Sequence, residues 1–333
     1  MSWITSFLTN RQQTVYVNDS CSGKVKITSG VPQGSVLGPL LFLIYIDDIS
    51  KISVDGCKSY LFADDFKVYS KDLSALQKSL DNLLPFTSKR QLSLAPSKCS
   101  HLLLTNKKNT HGTLNLGNKA LSQTSEIRDL GIVISSNLKW DLHISKIKGK
   151  ALQRCFHVFR SFSSKNVWTL LRTYKTFVRP LLESNSVIWN PYLQKDIDAV
   201  ESVQELFLKR LCRRCNLPSA NYSQRLNMFN LETLERRRLQ FDLIYAYKIM
   251  HNLVELNCEE FFQPWRTPYR LRGNPRKMFE NRCGSFQVQH SFSTRTTKAW
   301  NSLPADVATS PSLESYKRRL RSVDLKKFLT IIV

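Results

Sequence analysis

The 333-residue chain is 42% hydrophobic and 23% charged, with only 11 Gly and 12 Pro. That composition excludes a disordered tail, a collagen-like fibre and a small disulfide scaffold. Lys and Arg number 49 against 26 Asp and Glu, a formal net charge of +23, and an excess of that size favours a polyanionic partner, nucleic acid ahead of an anionic membrane. At about 100–200 residues per domain, two or three folded units are expected.

The longest apolar stretch, Val36 to Ile46, is 11 residues long and contains Gly38 and Pro39, well short of the ~20 that span a bilayer. The N-terminus lacks the basic and then apolar regions of a signal peptide. The expected residence is therefore the nucleus or the cytoplasm, neither secreted nor in a membrane. Eight Cys are scattered without framework spacing, which suits reduced thiols. The one close pair, Cys212-Arg-Arg-Cys215, has only His251 and Cys258 as distant, irregularly spaced candidates for the four ligands of a structural zinc site.

In chain order, Ser6 to Gln12 ends a short amphipathic helix. Thr14–Val17 and Lys24–Ile27 alternate apolar and polar around Asn18–Gly23, which predicts a hairpin. Ser29-Gly-Val-Pro-Gln-Gly-Ser-Val-Leu-Gly-Pro39 predicts a stiff turn leading into a buried helix over Leu40–Ile46, with Pro39 in its first turn. Such a loop offers backbone N–H groups to a phosphate, but it lacks the Gly-Lys-Ser/Thr of a P-loop. Tyr60–Tyr69 reads as two β-prone arms meeting at Ala63-Asp64-Asp65. Leu73, Leu76, Leu80, Leu83 and Leu84 then carry helical spacing, and His101–Thr105 closes the segment as a strand.

Leu114–Leu116 and Asp129–Ile134 read as short strands. Helices are expected over His143–Phe162, Val167–Phe177, Asp196–Arg213 and Leu231–Asn252, and one more near Leu313–Arg321 in a basic, Pro- and Gly-punctuated tail of about 80 residues. The interleaving indicates an α+β fold. The charge is uneven: residues 1–110 hold 13 Lys or Arg and 8 Asp or Glu, whereas the remaining 223 hold 36 and 18.

Asp64-Asp65 interrupts a run of Tyr, Leu, Phe, Phe, Val and Tyr. Asp is a common turn residue, yet two adjacent acids repel and have poor strand propensity. Carboxylates held at a rigid tip are also how a protein positions the paired divalent ions of phosphoryl transfer, ~3.5–4 Å apart. The competing acids, Asp47 and Asp48 of Tyr45-Ile-Asp-Asp48, follow a helical run and read as structural or solvent-facing.

Val31-Pro-Gln-Gly-Ser-Val-Leu-Gly-Pro-Leu-Leu-Phe42 and Leu61-Phe-Ala-Asp-Asp65 resemble motifs B and C of the reverse transcriptases of non-LTR retrotransposons of the Jockey/CR1 kind. The resemblance continues through Ser6–Gln12, Ser97-Lys-Cys99 (motif D), Asp129–Ile132 with Trp140 and His143 (primer grip and early thumb), Val178–Glu183 with Trp189 (thumb) and Trp300–Pro304. It implies a partial right-hand polymerase palm over 1–112, a primer-grip and thumb-like helical region over 113–217, and a basic C-terminal region over 218–333. It further implies that Asp64 and Asp65 bind catalytic Mg²⁺ or Mn²⁺, and that Gln33, Gly34 and Ser35 contact the incoming deoxynucleotide and template. Lys98 would be the general acid toward pyrophosphate, or else a surface lysine after a turn. Motif D departs from the family pattern, with Ala95 where an Asn is usual.

A two-metal site needs a third carboxylate, which the family's motif A supplies. Only Asp19, in a turn, precedes Gln33 as an acid, so the family's Ala-Phe-Asp motif is absent from this chain and a 5′-truncated element is expected. Loss of one essential transition-state contact commonly costs ~10²–10³-fold, so the chain alone is expected not to polymerise. Binding of RNA template and DNA primer is expected to rest on Lys146, Lys148, Lys150 and Arg154, with Arg160 and Phe156, Phe159 and Phe162 nearby, and on Arg236, Arg237 and Arg238. At helical spacing those aromatics also suit a core. The alternative function is a non-catalytic nucleic-acid-binding remnant that uses these basic surfaces alone.

Overall fold

The computed structural model describes residues 2–104, 112–265 and 274–331. The fold is α+β and divides into two compact units, Met1–Ser125 and Glu126–Val333. The sequence suggests a further boundary near residue 217; the structure keeps 126–333 together.

The first unit opens with helix α1 (Ser2–Leu8). Next comes an interrupted hairpin: β1 (Gln12–Gln13) pairs with β4 (Val25–Lys26) and β2 (Tyr16–Val17) with β3 (Ser20–Cys21), closed by Asn18 at φ 53°. The expected arms do not pair with each other: Tyr16–Val17 pair with Ser20–Cys21, inside the stretch read as the turn, and Val25–Lys26 reach back to Gln12–Gln13. Helix α2 (Gly38–Ile46) forms after the Gly/Pro loop with Pro39 in its first turn, where a missing N–H costs nothing.

Helix α2 is not the buried helix that its composition predicts. Only Gly38 and Ile46 are buried, while Leu40, Leu43 and Ile44 face solvent, Ile44 at 66% exposure. The reason lies in the supply of partners. Strand β5 (Cys57–Phe62), strand β6 (Asp65–Ser70) and helix α3 (Leu73–Lys89) share a small core of Ile46, Ile49, Ile52, Leu83, Leu114, Leu116 and Leu121. That core takes Ile46 and part of Phe42 from α2 and leaves the rest of the helix uncovered. Asp72 caps α3 by accepting from the Ser74 N–H at 2.9 Å, which satisfies one of the free donors of a helix start. Strand β7 (Ser100–Leu102) runs parallel to β10 (Ser122–Thr124), and β8 (Asn115–Leu116) pairs with β9 (Lys119–Ala120). Of the strand expected over His101–Thr105, Thr105 lies outside the described residues.

The second unit begins with β11 (Glu126–Asp129) and β12 (Ile132–Ser135), an antiparallel pair turning at Leu130 (φ 44°) and Gly131 (φ 90°). The single strand expected over Asp129–Ile134 is thus the turn and return arm of a hairpin. Helices α4 (Asp141–Ser161), α5 (Val167–Thr173), α6 (Arg179–Glu183), α7 (Ser186–Trp189), α8 (Gln194–Arg214) and α9 (Tyr222–Met228) surround one core. In α8, Ile197, Val200, Val203, Phe207 and Leu211 are buried along one face, as their spacing predicts.

Helix α10 (Leu234–Met250) starts in that core and ends in a second one. Its first N–H groups meet a carboxylate from α8, for Glu201 accepts from the Leu234 N–H at 2.9 Å. An acid at the positive end of a helix is favourable. After α11 (Cys258–Phe261) and α12 (Phe286–Gln289), helices α13 (Phe292–Asn301), α14 (Ala305–Ala308) and α15 (Leu313–Leu320) complete the second core around Trp300, Tyr247 and Tyr316. The segment expected to be a loosely punctuated tail with one helix is therefore a packed part of the unit. Near the chain end, Glu235 on α10 accepts from the Thr330 N–H and hydroxyl and from the Ile331 N–H at 2.8–3.0 Å.

Candidate functional site

Strands β5 and β6 pair in full register from Cys57↔Ser70 to Phe62↔Asp65, which leaves Ala63 and Asp64 as a two-residue turn. Ala63 sits at φ 53°, a left-handed conformation that costs a residue with a Cβ roughly 1–2 kcal/mol. Asp64 and Asp65 are exposed at this tip, and along the strands below it Leu61 and Phe66 pack toward the core while Tyr60, Phe62 and Tyr69 face outward. The rings of Tyr60 and Tyr69 stack at 5.6 Å across the strands, a cross-strand pair that stiffens the hairpin.

Asp48, by contrast, is engaged in the fold. It pairs with Lys51 at 2.6 Å and with Arg90 at 2.6 Å, and the Lys51 ammonium, together with Arg90, holds its carboxyl below the usual range. This agrees with the structural reading of the Tyr45–Asp48 segment.

The Gly/Pro loop is held by its own polar groups. The Ser35 hydroxyl donates to the Pro32 carbonyl at 2.7 Å and accepts from the Gly38 N–H at 2.9 Å. A Cβ on Gly38 would stand 2.8 Å from the Pro32 carbonyl oxygen and 2.9 Å from the Ser35 hydroxyl, so only glycine lets the helix start this close to the loop. Gly34 needs glycine for a different reason, its φ of 79°. Gln33 and Gly34 are exposed, whereas the Ser35 hydroxyl is used within the loop. Lys98 is exposed at the end of a short turn, Pro96–Lys98.

Among the described residues no three His, Cys, Asp or Glu side chains converge on a point where a metal ion could sit. Two adjacent exposed carboxylates at a hairpin tip do not by themselves form the two-ion cluster that the resemblance implies.

The basic residues of the second unit separate into two kinds. Lys146, Lys150 and Arg154 are exposed and follow one another at four-residue intervals on α4, with Lys146 also 3.0 Å from Glu126. Lys148 lies off that stripe and is half-buried. The run Arg236–Arg238 does not form a free surface. Arg236 pairs with Glu232 at 2.8 Å and donates to the carbonyls of Arg321 and Val323. Arg237 grips Glu183 through two N–H groups and lies over the Phe241 ring at 5.3 Å. Arg238 is fully buried, donating to Asn190 at 3.1 Å, so it offers nothing to a phosphate outside. Successive residues on a helix point 100° apart, and three in a row cannot all reach solvent on a helix covered from two sides.

One cluster joins residues that the sequence places near the expected nucleic-acid surface, Phe156, Phe159 and Arg160, to arginines of α8 that it does not. Phe156, Phe159 and Arg160 near the end of α4 line an open cavity of about 440 Å³ with Arg210, Arg213 and Arg214 of α8. The signal lies in Lys209-Arg-Leu-Cys-Arg-Arg214, whose basic residues close the expected Asp196–Arg213 helix. Cys212 is buried and Cys215 half-buried, and burial pushes both thiols up, which disfavours the thiolate that zinc would need.

Residues 1–134 match the family of reverse transcriptase (RNA-dependent DNA polymerase), a match that includes both the Gly/Pro loop and the acidic hairpin. The chain is 27% identical over 232 residues, 62% of its length, to the RNA-directed DNA polymerase from mobile element jockey of Drosophila funebris. It is 22% identical over 223 residues to the corresponding jockey protein of Drosophila melanogaster, and 24% identical over 214 residues to the probable RNA-directed DNA polymerase from transposon X-element of that fly. The chain is thus similar, at modest identity, to the reverse transcriptases of non-LTR mobile elements, jockey among them. The matched stretch spans about a quarter of each of these relatives.

Among the described residues no helix is long and apolar enough to cross a membrane. The Trp189 and Trp300 segments that carry part of the family resemblance are core elements: Trp189 donates to the Ser184 carbonyl at 2.8 Å and Trp300 to the Arg276 carbonyl at 2.7 Å.

Proposed function

We propose that this chain is the metal-hairpin and nucleic-acid-holding portion of an RNA-directed DNA polymerase, and that the 333 residues alone do not extend a primer. The observation that carries the reading is the β5–β6 hairpin, which presents Asp64 and Asp65 at a strained two-residue tip inside the segment matching the reverse transcriptase family. A left-handed Ala beside two exposed acids is the kind of backbone strain that a functional tip can carry.

Asp64 and Asp65 would be two of the ligands for Mg²⁺ or Mn²⁺. The chemistry asks for a further carboxylate, which would complete the cluster from a segment or chain beyond these residues. Gln33 and Gly34, exposed on a rigid loop, are placed to meet deoxynucleotide and template, and Lys98 is a candidate proton donor to the leaving pyrophosphate. Template RNA and primer DNA would lie along the exposed α4 residues Lys146, Lys150 and Arg154. Lys148, Arg236, Arg237 and Arg238 have smaller parts to play, given their burial and ion pairs.

The test is primer extension on an RNA template with Mg²⁺ or Mn²⁺, using the chain and Asp64→Ala side by side, together with primer–template binding at several salt concentrations. No extension with salt-sensitive binding in both proteins is expected. Extension that disappears in Asp64→Ala would overturn the inactivity of the isolated chain, and absence of binding would overturn the nucleic-acid reading.

A further inference from the structure

From the arginine-lined cavity at the paired ends of α4 and α8 we infer that a single-stranded stretch of nucleic acid seats there, its phosphates among Arg160, Arg210 and Arg213 and one unstacked base on Phe156. The inference rests on the nucleic-acid-binding reading above and specifies where, and in what form, a strand is held.

Residues near the C-terminal ends of both helices line the one cavity, so the two helices finish together. Helix C-termini carry partial negative charge and attract cations, and Arg214 fills that structural role. It donates to the Phe159 carbonyl at 2.7 Å and to the Phe162 carbonyl, with its guanidinium 5.3 Å from the Phe159 ring. Arg160, Arg210 and Arg213 are different. All three are exposed, and none has an acidic partner among the described residues. Four guanidinium groups lining one cavity with no acid in its wall repel one another, and a phosphodiester chain relieves that repulsion.

Phe156 supplies the second half of the argument. It is 53% exposed, although as a large apolar side chain on a helix with a well-filled inner face it gains nothing from standing in water. A ring with an open face beside arginines is the arrangement that stacks unpaired bases. A duplex, whose base faces are covered by their neighbours, would leave that face unused. The cavity is open to solvent, as a passing strand requires, and Lys146 and Arg160 on the exposed part of α4 stand about 21 Å apart along the helix at ~1.5 Å per residue.

The experiment measures fluorescence anisotropy of labelled single-stranded RNA of about 12 nucleotides, and of the matching duplex, with the full chain and three variants. Phe156→Leu is expected to weaken single-strand binding about tenfold while leaving the duplex unchanged, and Phe156→Tyr to restore it. Arg210→Ala with Arg213→Ala is expected to lower the slope of log K against log salt by about 1.4. If the wild-type chain binds nucleic acid but all variants match it in affinity and slope, the site is overturned and the broader reading stands. If the variants weaken single strand and duplex alike, the single-strand assignment is overturned. If the wild-type chain binds neither, both readings fall together.

Discussion

Arg295 on α13 holds Asp242 on α10 with two nearly parallel hydrogen bonds, Nε to Oδ2 at 2.9 Å and Nη2 to Oδ1 at 3.0 Å, and Asn190 adds a third at 2.9 Å. Asp242 is wholly buried. Burial pushes its carboxyl up, and Arg295 and Asn190 pull it back. The pair joins two helices 53 residues apart in sequence, so the C-terminal helices belong to the same cooperative structure as α10. Asp242→Ala leaves Arg295 and the buried Arg238 without this partner. Loss of about 3–5 kcal/mol is expected from breaking a buried pair, seen as a lower midpoint in urea unfolding.

His143 provides a pH-dependent term. It is buried, its Nδ1 accepts from the Val133 N–H at 3.2 Å, and its ring lies 5.1 Å from Trp189. Burial, helped by Lys150 and Lys146, pushes its pKa down from 6.5 to about 4. The folded value lies below the unfolded one, so unfolded chains take up the proton first. The neutral-ring contribution is complete above about pH 6.5 and is lost as pH falls toward 4, on the order of 3 kcal/mol in all. The difference in stability between wild type and His143→Phe, followed by denaturant titration from pH 7 to pH 4, is expected to shrink across that window.

At the hairpin tip, Ala63→Gly removes the left-handed penalty but gives the unfolded chain more freedom. A net gain of up to about 1 kcal/mol is expected, read as a rise in thermal midpoint. A loss would show that the Ala63 methyl group makes a contribution greater than its strain.

Gly38→Ala acts in the opposite direction. The new methyl meets the Pro32 carbonyl and the Ser35 hydroxyl within 2.9 Å, and the loop or the first turn of α2 has to shift. A cost of about 1–3 kcal/mol is expected, as for other overpacked sites. Limited proteolysis near Val31–Leu37 should accelerate in the variant.

Helix α8 was legible in advance because its apolar residues recur at three and four, and Val200, Val203, Phe207 and Leu211 are indeed fully buried. The acidic hairpin was legible for a similar reason, since two acids in a β-prone run mark a tip. The β11–β12 turn was not, because Leu130 takes a left-handed φ where Asn or Gly would have announced it. Composition alone made α2 a buried helix; an apolar run states a need for partners and not their supply. The arginine run at 236–238 misled in the converse way: charge counts ignore helix geometry, and Glu183, Glu232 and Asn190 were already waiting for those side chains.

The grip of Glu235 on Thr330 and Ile331 spans 95 and 96 residues of sequence. During synthesis the opening turn of α10 therefore emerges long before the groups that satisfy its carboxylate. Until residue 331 is made, Glu235 keeps water in place of those partners, because a carboxylate buried without them is costly. The pairing of this carboxylate in unit 2 is in this sense timed by residues 330 and 331, and a chain stopped short of Thr330 would leave it to water.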